Sequence, residues 1–161
     1  MPVPVSDRLL SVELDEHSLG IGLPVQASER GAAIADLVDH GVFQLAHAPG
    51  PYRLALRQES GKLVFDVRDA SNAPGVKHVL SFSPLRRVIR DYFLMCESHL
   101  GALRDGQHDR VQTIDMARRG IHNEGAELLR ERLAGKVEVT FDTARLLFTL
   151  VSSLTWTGRE T

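Results

Sequence analysis

The richest run of chemically capable side chains lies between Asp115 and Gly125. There Asp115, Arg118, Arg119, His122, Asn123 and Glu124 follow one another at short steps. On a continuous helix Asp115 stands three and four residues ahead of Arg118 and Arg119, within ion-pair reach, and Arg118 faces His122 four residues on. Arginine forks suit phosphate or carboxylate, and an imidazole titrating near neutrality can move protons. The cluster therefore suits an anion or phosphometabolite site, with Gly120 and Gly125 letting a ligand or a second backbone approach closely. The plainer expectation is an ion-pair ladder on a solvated or interfacial helix face, the usual fate of charges on helices.

Other chemistries find less support. His122 and Glu124 are two residues apart, which turns them about 200° from one another on a helix. No His-Glu-x-x-His pattern exists, so no metal site and no cofactor is expected. A histidine between arginine and acid also suits a phosphoacceptor helix, yet no ATP-binding glycine box accompanies it. Cys96 sits on an apolar helical stripe, the setting of an inert buried thiol rather than a nucleophile. There is no Gly-x-Ser-x-Gly elbow and no P-loop, and Gly20-Ile21-Gly22 lacks the third glycine of a dinucleotide fingerprint. Arg86, Arg87 and Arg90 form a small basic face that could meet RNA or an acidic partner. Without aromatic residues laddered on strands, nucleic acid is disfavoured, and pairing with Asp66, Asp69 and Asp91 is the simpler expectation. No catalytic constellation emerges, which leans the reading away from an enzyme.

These residues need elements to hold them. Ser11 to Leu14 suits a short strand, and Gly20, Gly22 and Pro24 a turn. A helix is predicted from Val25 to His40, with Ile34, Leu37 and Val38 inward and Gly41 as its stop. Gly31 within it suggests close packing or a local break. Tyr52, Leu54 and Leu56 alternate with Arg53, Ala55 and Arg57. Leu63, Phe65 and Val67 repeat that period of two, and Val76 to Phe82 adds a third, less regular strand. Short turns at Glu59 to Gly61 and Ala70 to Gly75 make the three an antiparallel meander. The strongest helix signal follows, with Ser83 as cap and Pro84 at the first turn. Leu85, Val88, Ile89, Tyr92, Phe93, Cys96, Leu100 and Leu103 recur at three- and four-residue steps up to Gly106. The stretch Asp109 to Ala134 is helical, capped by Asp109 and hinged near Gly120 to Asn123. Val137 to Val139 is a short strand. Thr140 or Asp142 caps a last helix to about Leu154, and Trp156 covers the edge.

The bulk composition agrees with one domain. At 161 residues the chain can bury roughly 70% of its unfolded surface without staples. Hydrophobic residues at 43% and charged residues at 25% are ordinary globular values. The net charge of −2 creates no global pull toward nucleic acid or anionic membrane. One cysteine excludes an internal disulfide and fits a reducing compartment. No apolar run approaches the roughly 20 residues of a membrane span, and no signal-peptide pattern opens the chain. The expected location is cytoplasmic. The expected organisation is a flexible tail over residues 1–10 and a single α+β domain over residues 11–157. Within it, a three- to four-stranded antiparallel meander is packed on one face by about four helices.

Four stretches carry a resemblance: Leu63-Val64-Phe65-Asp66-Val67-Arg68-Asp69, Arg90-Asp91-Tyr92-Phe93-Leu94, the run from Ile114 to Gly125, and Phe141-Asp142-Thr143-Ala144-Arg145. Over roughly Leu14 to Trp156 the chain resembles uncharacterised protein family two-six-two, small bacterial proteins found mainly in alphaproteobacteria. The resemblance implies a lineage and assigns no activity or catalytic residue. Two functions therefore stand as expectations, the first preferred because the strong patterns all explain folding, the second its alternative. One is a non-enzymatic regulatory or adaptor domain, self-associating or meeting a protein partner through the Arg118 to Glu124 segment and the basic face. The other is a sensor or small enzyme holding a small anionic ligand among Arg118, Arg119, His122 and Glu124. An open, flat surface would favour the first, and a concave pocket with convergent polar groups the second.

Overall fold

A computed structural model of the chain describes residues 2–15 and 24–154. The turn expected at Gly20 and Gly22 and the edge cover expected of Trp156 lie outside the described residues. After a single 3-10 turn at Val5–Asp7 come strand β1 (Leu9–Leu14), helix α1 (Pro24–His40) and the short strand β2 (Phe43–Leu45). Strands β3 (Tyr52–Glu59), β4 (Lys62–Arg68) and β5 (Val76–Ser81) follow. Helices α2 (Ser83–Arg104) and α3 (His108–Leu133), strand β6 (Val137–Val139) and helix α4 (Phe141–Ser153) complete the order.

The meander read from the alternating residues forms: β3 pairs antiparallel with β4, and β4 with β5. Its first reversal takes two residues, Ser60 and Gly61, both at positive φ (50° and 74°). That is the mirror-image turn whose twist matches paired strands. The sheet is nevertheless mixed. β1 lies against the other edge of β3 and runs parallel to it. The crossover through α1 makes this geometry accessible, because parallel neighbours need a long connection. β1 begins at Leu9, within the stretch expected to be tail. Leu9 is only 1% exposed, and Tyr52 N–H donates to the Arg8 carbonyl at 2.9 Å. A separate two-stranded ribbon pairs β2 antiparallel with β6.

Helices cover one face of the sheet. Leu54, Leu56, Leu63, Phe65 and Val67 meet Leu85, Ile89 and Phe93 of α2, Leu129 of α3 and Leu147, Phe148 and Val151 of α4 in one core. The α2 stripe holds as far as Cys96 and then fades, with Leu103 exposed. Phe82, not Ser83, occupies the cap position of α2, and Ser83 is its first helical residue. Gln107 precedes α3, so Asp109 lies in its first turn rather than at its cap. Thr140 does cap α4, its Oγ1 accepting from Thr143 N–H at 3.2 Å. α1 passes through Gly31 without a break, and a Cβ there would meet nothing within 4 Å. The hinge expected near Gly120 to Asn123 is also absent, since α3 is one unbroken helix.

Candidate functional site

α3 packs between α2 and α4, and α1 packs on α4. Between α1, α3 and α4 lies an open groove of about 500 Å³. From α3 it takes Arg118, Arg119 and His122, from α4 Asp142, Arg145 and Thr149, from α1 Glu29 and Asp36, and from α2 Tyr92. Helical spacing selects these residues. Arg118 and His122 stand one turn apart on α3, as Arg145 and Thr149 do on α4.

Asp115 anchors the α3 side. Its Oδ1 accepts from Arg118 Nη2 at 2.9 Å and Nε at 3.2 Å. Its Oδ2 lies 3.0 Å from Arg119 Nε, and His99 Nε2 approaches Oδ1 at 3.9 Å. The Arg118 hydrogen bonds, with the charges around them, hold the Asp115 carboxyl below the usual carboxylate range. Arg118 also ties three helices together. Its Nη1 donates to the Tyr92 hydroxyl at 3.5 Å and lies 4.0 Å from Glu29 Oε1. Burial works against that guanidinium's charge, but the Asp115 bond and the Tyr92 oxygen hold it firmly protonated. Burial likewise pushes the Tyr92 phenol and the neighbouring Cys96 thiol up, so neither ionises near neutrality.

His122 is the unusual member. Its Nε2 lies 2.9 Å from Thr149 Oγ1, and that hydroxyl donates its own proton to the Arg145 carbonyl at 3.3 Å. The network therefore makes Nε2–H the donor and leaves Nδ1 as an acceptor. Nδ1 is buried and has no hydrogen-bond partner among the described residues. The ring stands edge-to-face against Tyr92 and Phe148, each at 5.1 Å between centroids. Burial, with Arg145 and Arg118 nearby, pushes the imidazole pKa down to about 4. At neutral pH it is an uncharged hydrogen-bonding group.

Of the expected site residues, Asp115, Arg118, Arg119 and His122 are brought together. Asn123 and Glu124 are exposed and do not line the groove. Gly125 serves packing: a Cβ there would sit 2.3 Å from Phe148 Cζ. Arg86, Arg87 and Arg90 are exposed along the start of α2. Arg87 and Arg90 approach Asp91 at 3.9 and 3.6 Å, whereas Asp66 meets Arg57 and Arg68 instead. Sequence reasoning missed Glu29, Asp36, Asp142, Arg145 and Thr149. A local signal existed for α4, where Arg145 and Thr149 fall off the apolar stripe one turn apart. Arg145 makes no ion pair among the described residues. No three His, Cys, Asp or Glu side chains gather as a metal shell would among the described residues, and no helix is long and apolar enough to cross a membrane.

Three of the four stretches that carry the family resemblance contribute side chains to this groove: Tyr92, then Arg118, Arg119 and His122, and Asp142 with Arg145. The sequence profile described as Uncharacterised protein family (UPF0262) matches residues 6–157. A UPF0262 protein of Rhizobium johnstonii is 48% identical over 152 residues, covering 94% of this chain and 96% of its own. One from Rhizobium etli is 47% identical with the same coverage. One from Rhodopseudomonas palustris is 45% identical over 158 residues, 98% of this chain and 97% of its own. No solved structure matches.

Proposed function

Because the chain belongs to the uncharacterised protein family UPF0262, which brings no activity with it, we propose from the geometry that it is a non-enzymatic sensor whose α1–α3–α4 groove holds a small anionic metabolite. The observation that carries this reading is the uncommitted guanidinium of Arg145, set in a concave groove beside the Asp115-anchored Arg118 and Arg119 and the neutral His122. Arginines already fixed by partners need little reordering to receive an oxyanion. The carboxylates of Glu29, Asp36 and Asp142 oppose a bare polyanion and suit a ligand that bears hydroxyl or amino groups beside its phosphate or carboxylate. The groove's concavity favours this over a flat adaptor surface. We take the setting to be the cytoplasm, a reducing compartment in keeping with the single buried thiol of Cys96.

Melting-shift titration with inorganic phosphate, nucleotides, sugar phosphates and hydroxy acids tests the reading. At least one should raise the melting temperature saturably, by about 2.7 kcal/mol of added stability at a hundred times its dissociation constant. Arg145→Gln, a change at an exposed position, should weaken that response at least tenfold. Silence from every compound, or an unchanged response in R145Q, would defeat the groove. Stoichiometric recovery of one protein partner from cells would instead support an adaptor.

A further inference from the structure

The face of the sheet away from the helices carries a second arginine pair in a different arrangement. Cross-strand register sets Arg53 of β3 directly opposite Arg68 of β4, and Ser11 of β1 beside Arg53. All three lie in one row on that face, because Leu54 and Val67 point the other way into the core. Like charges directly opposite on a sheet repel at Cβ separations of about 4.5–5.5 Å. Here the repulsion is only partly answered. Asp66, buried on the same face, divides its carboxylate between Arg68 Nε at 3.5 Å and Arg57 Nη1 at 3.2 Å.

Both guanidiniums are nevertheless held in place. Arg53 Nε donates to the Ala70 carbonyl at 3.0 Å, and its Nη1 to Ser11 Oγ at 3.4 Å. Arg68 Nη1 donates to the Asn72 carbonyl at 3.3 Å. The loop supplying those carbonyls is itself fixed, with Asp69 Oδ1 accepting from the N–H of Ser71 at 2.9 Å and of Ala73 at 3.1 Å. The Nη2 amino groups of Arg53 and Arg68 have no partner among the described residues, and a groove of about 520 Å³ lies over the row.

We infer that this groove is a second ligand site, independent of the helical groove, which binds the phosphate group of inorganic phosphate or a phosphomonoester between Arg53 and Arg68. Two facing guanidiniums with free N–H groups match a tetrahedral dianion better than a single carboxylate, which one fork would satisfy. A phosphate there removes the repulsion and leaves the Asp66 pairs intact. Ser11 offers a hydroxyl at the same end. Glu13, one row along on β1, disfavours a second anionic group on the ligand and selects an ester whose remainder is neutral.

The test follows the side-chain Nε–H resonances of Arg53 and Arg68 in nitrogen-15-labelled full chain. They are titrated with inorganic phosphate, with glycerol 2-phosphate, and with sodium chloride at matched ionic strength. Saturable shifts at both arginines with either phosphate source, absent in chloride, are expected. Inorganic phosphate acting alone would assign the free ion, and an equal or tighter response to the ester a phosphomonoester. Arg53→Gln and Arg68→Gln should each weaken binding at least tenfold, while R145Q leaves it unchanged. Shifts matching those in chloride would overturn the site, and the wild-type spectra alone decide that point should a variant fail to fold. Binding that survives R53Q and R68Q would overturn it equally.

Discussion

At the scale of single residues, His122 converts burial into a pH dependence. Its imidazole is pushed down to about 4, first by burial and then by Arg145 and Arg118, against about 6.5 in an unfolded chain. Between those values the unfolded state binds the proton and the native state does not, so stability rises with pH through that window. The contribution is fully present above about pH 6.5 and is lost as the pH falls toward about 4. Asp115, held low by Arg118, loses its contribution only at more acid pH. His122→Gln keeps a donor for Thr149 and removes the titration. Melting temperatures should therefore fall from pH 6.5 to 4 in the wild type and distinctly less in H122Q, with both declining further below about pH 4. His78, also pushed down by burial and Lys136, adds to the slope of both proteins, so the difference between them is the measurement. Equal slopes would show that His122 is protonated in the native state.

At the scale of elements, two glycines of α3 have opposite fates. Gly120 meets nothing within 4 Å, whereas a Cβ on Gly125 would strike the Phe148 ring at 2.3 Å. Gly120→Ala should therefore stabilise the protein by about 0.5–1 kcal/mol, because the helix no longer fixes a glycine backbone. Gly125→Ala should destabilise it by about 1–3 kcal/mol through overpacking against α4. Urea unfolding measures both, and in a Phe148→Leu background the Gly125→Ala penalty should shrink by more than about 0.5 kcal/mol. The same pair shows where sequence reading stops. The stripes of α2 and α4 and the alternation of β3 and β4 were legible because burial imprints a period on neighbouring residues. The hinge predicted in α3 was wrong because two glycines look equally weak in sequence. One of them is a docking notch for the ring of Phe148 on the next helix, and α3 runs through both without a break. The parallel pairing of β1 left no trace either, since its partner lies beyond α1 and no turn links the two.

At the scale of the whole molecule, the core runs unbroken through both sheets and all four helices, from Leu9 on β1 to Leu154 after α4. Half of the candidate site was legible for the reason that helices are: Asp115, Arg118, Arg119 and His122 share one stretch. Its other half, with Glu29 on α1, Tyr92 on α2 and Arg145 on α4, is joined only by helix packing, and although Arg145 and Thr149 stand one turn apart off the α4 stripe, nothing in that spacing says which helix they face. The ribbon of β2 and β6 is the piece with the weakest claim to belong, for it shares no ladder with the main sheet. Yet Phe43, Val137 and Val139 are buried in the common core. Leu45 N–H donates to the Tyr52 hydroxyl at 3.1 Å, Arg130 Nε to the Val139 carbonyl at 3.1 Å, and Val42 N–H to Thr143 Oγ1 at 2.9 Å. Those ties bind the ribbon to β3, α3 and α4 at once, so it cannot open without exposing apolar surface that every layer shares. Unfolding should accordingly be a single cooperative transition. The backbone amide signals of Phe43 in the ribbon, Phe65 in β4 and Leu147 in α4 should be lost at one urea midpoint. Earlier loss at Phe43 alone would mean that the ribbon melts as its own unit and that the buried valines of β6 contribute little to the rest.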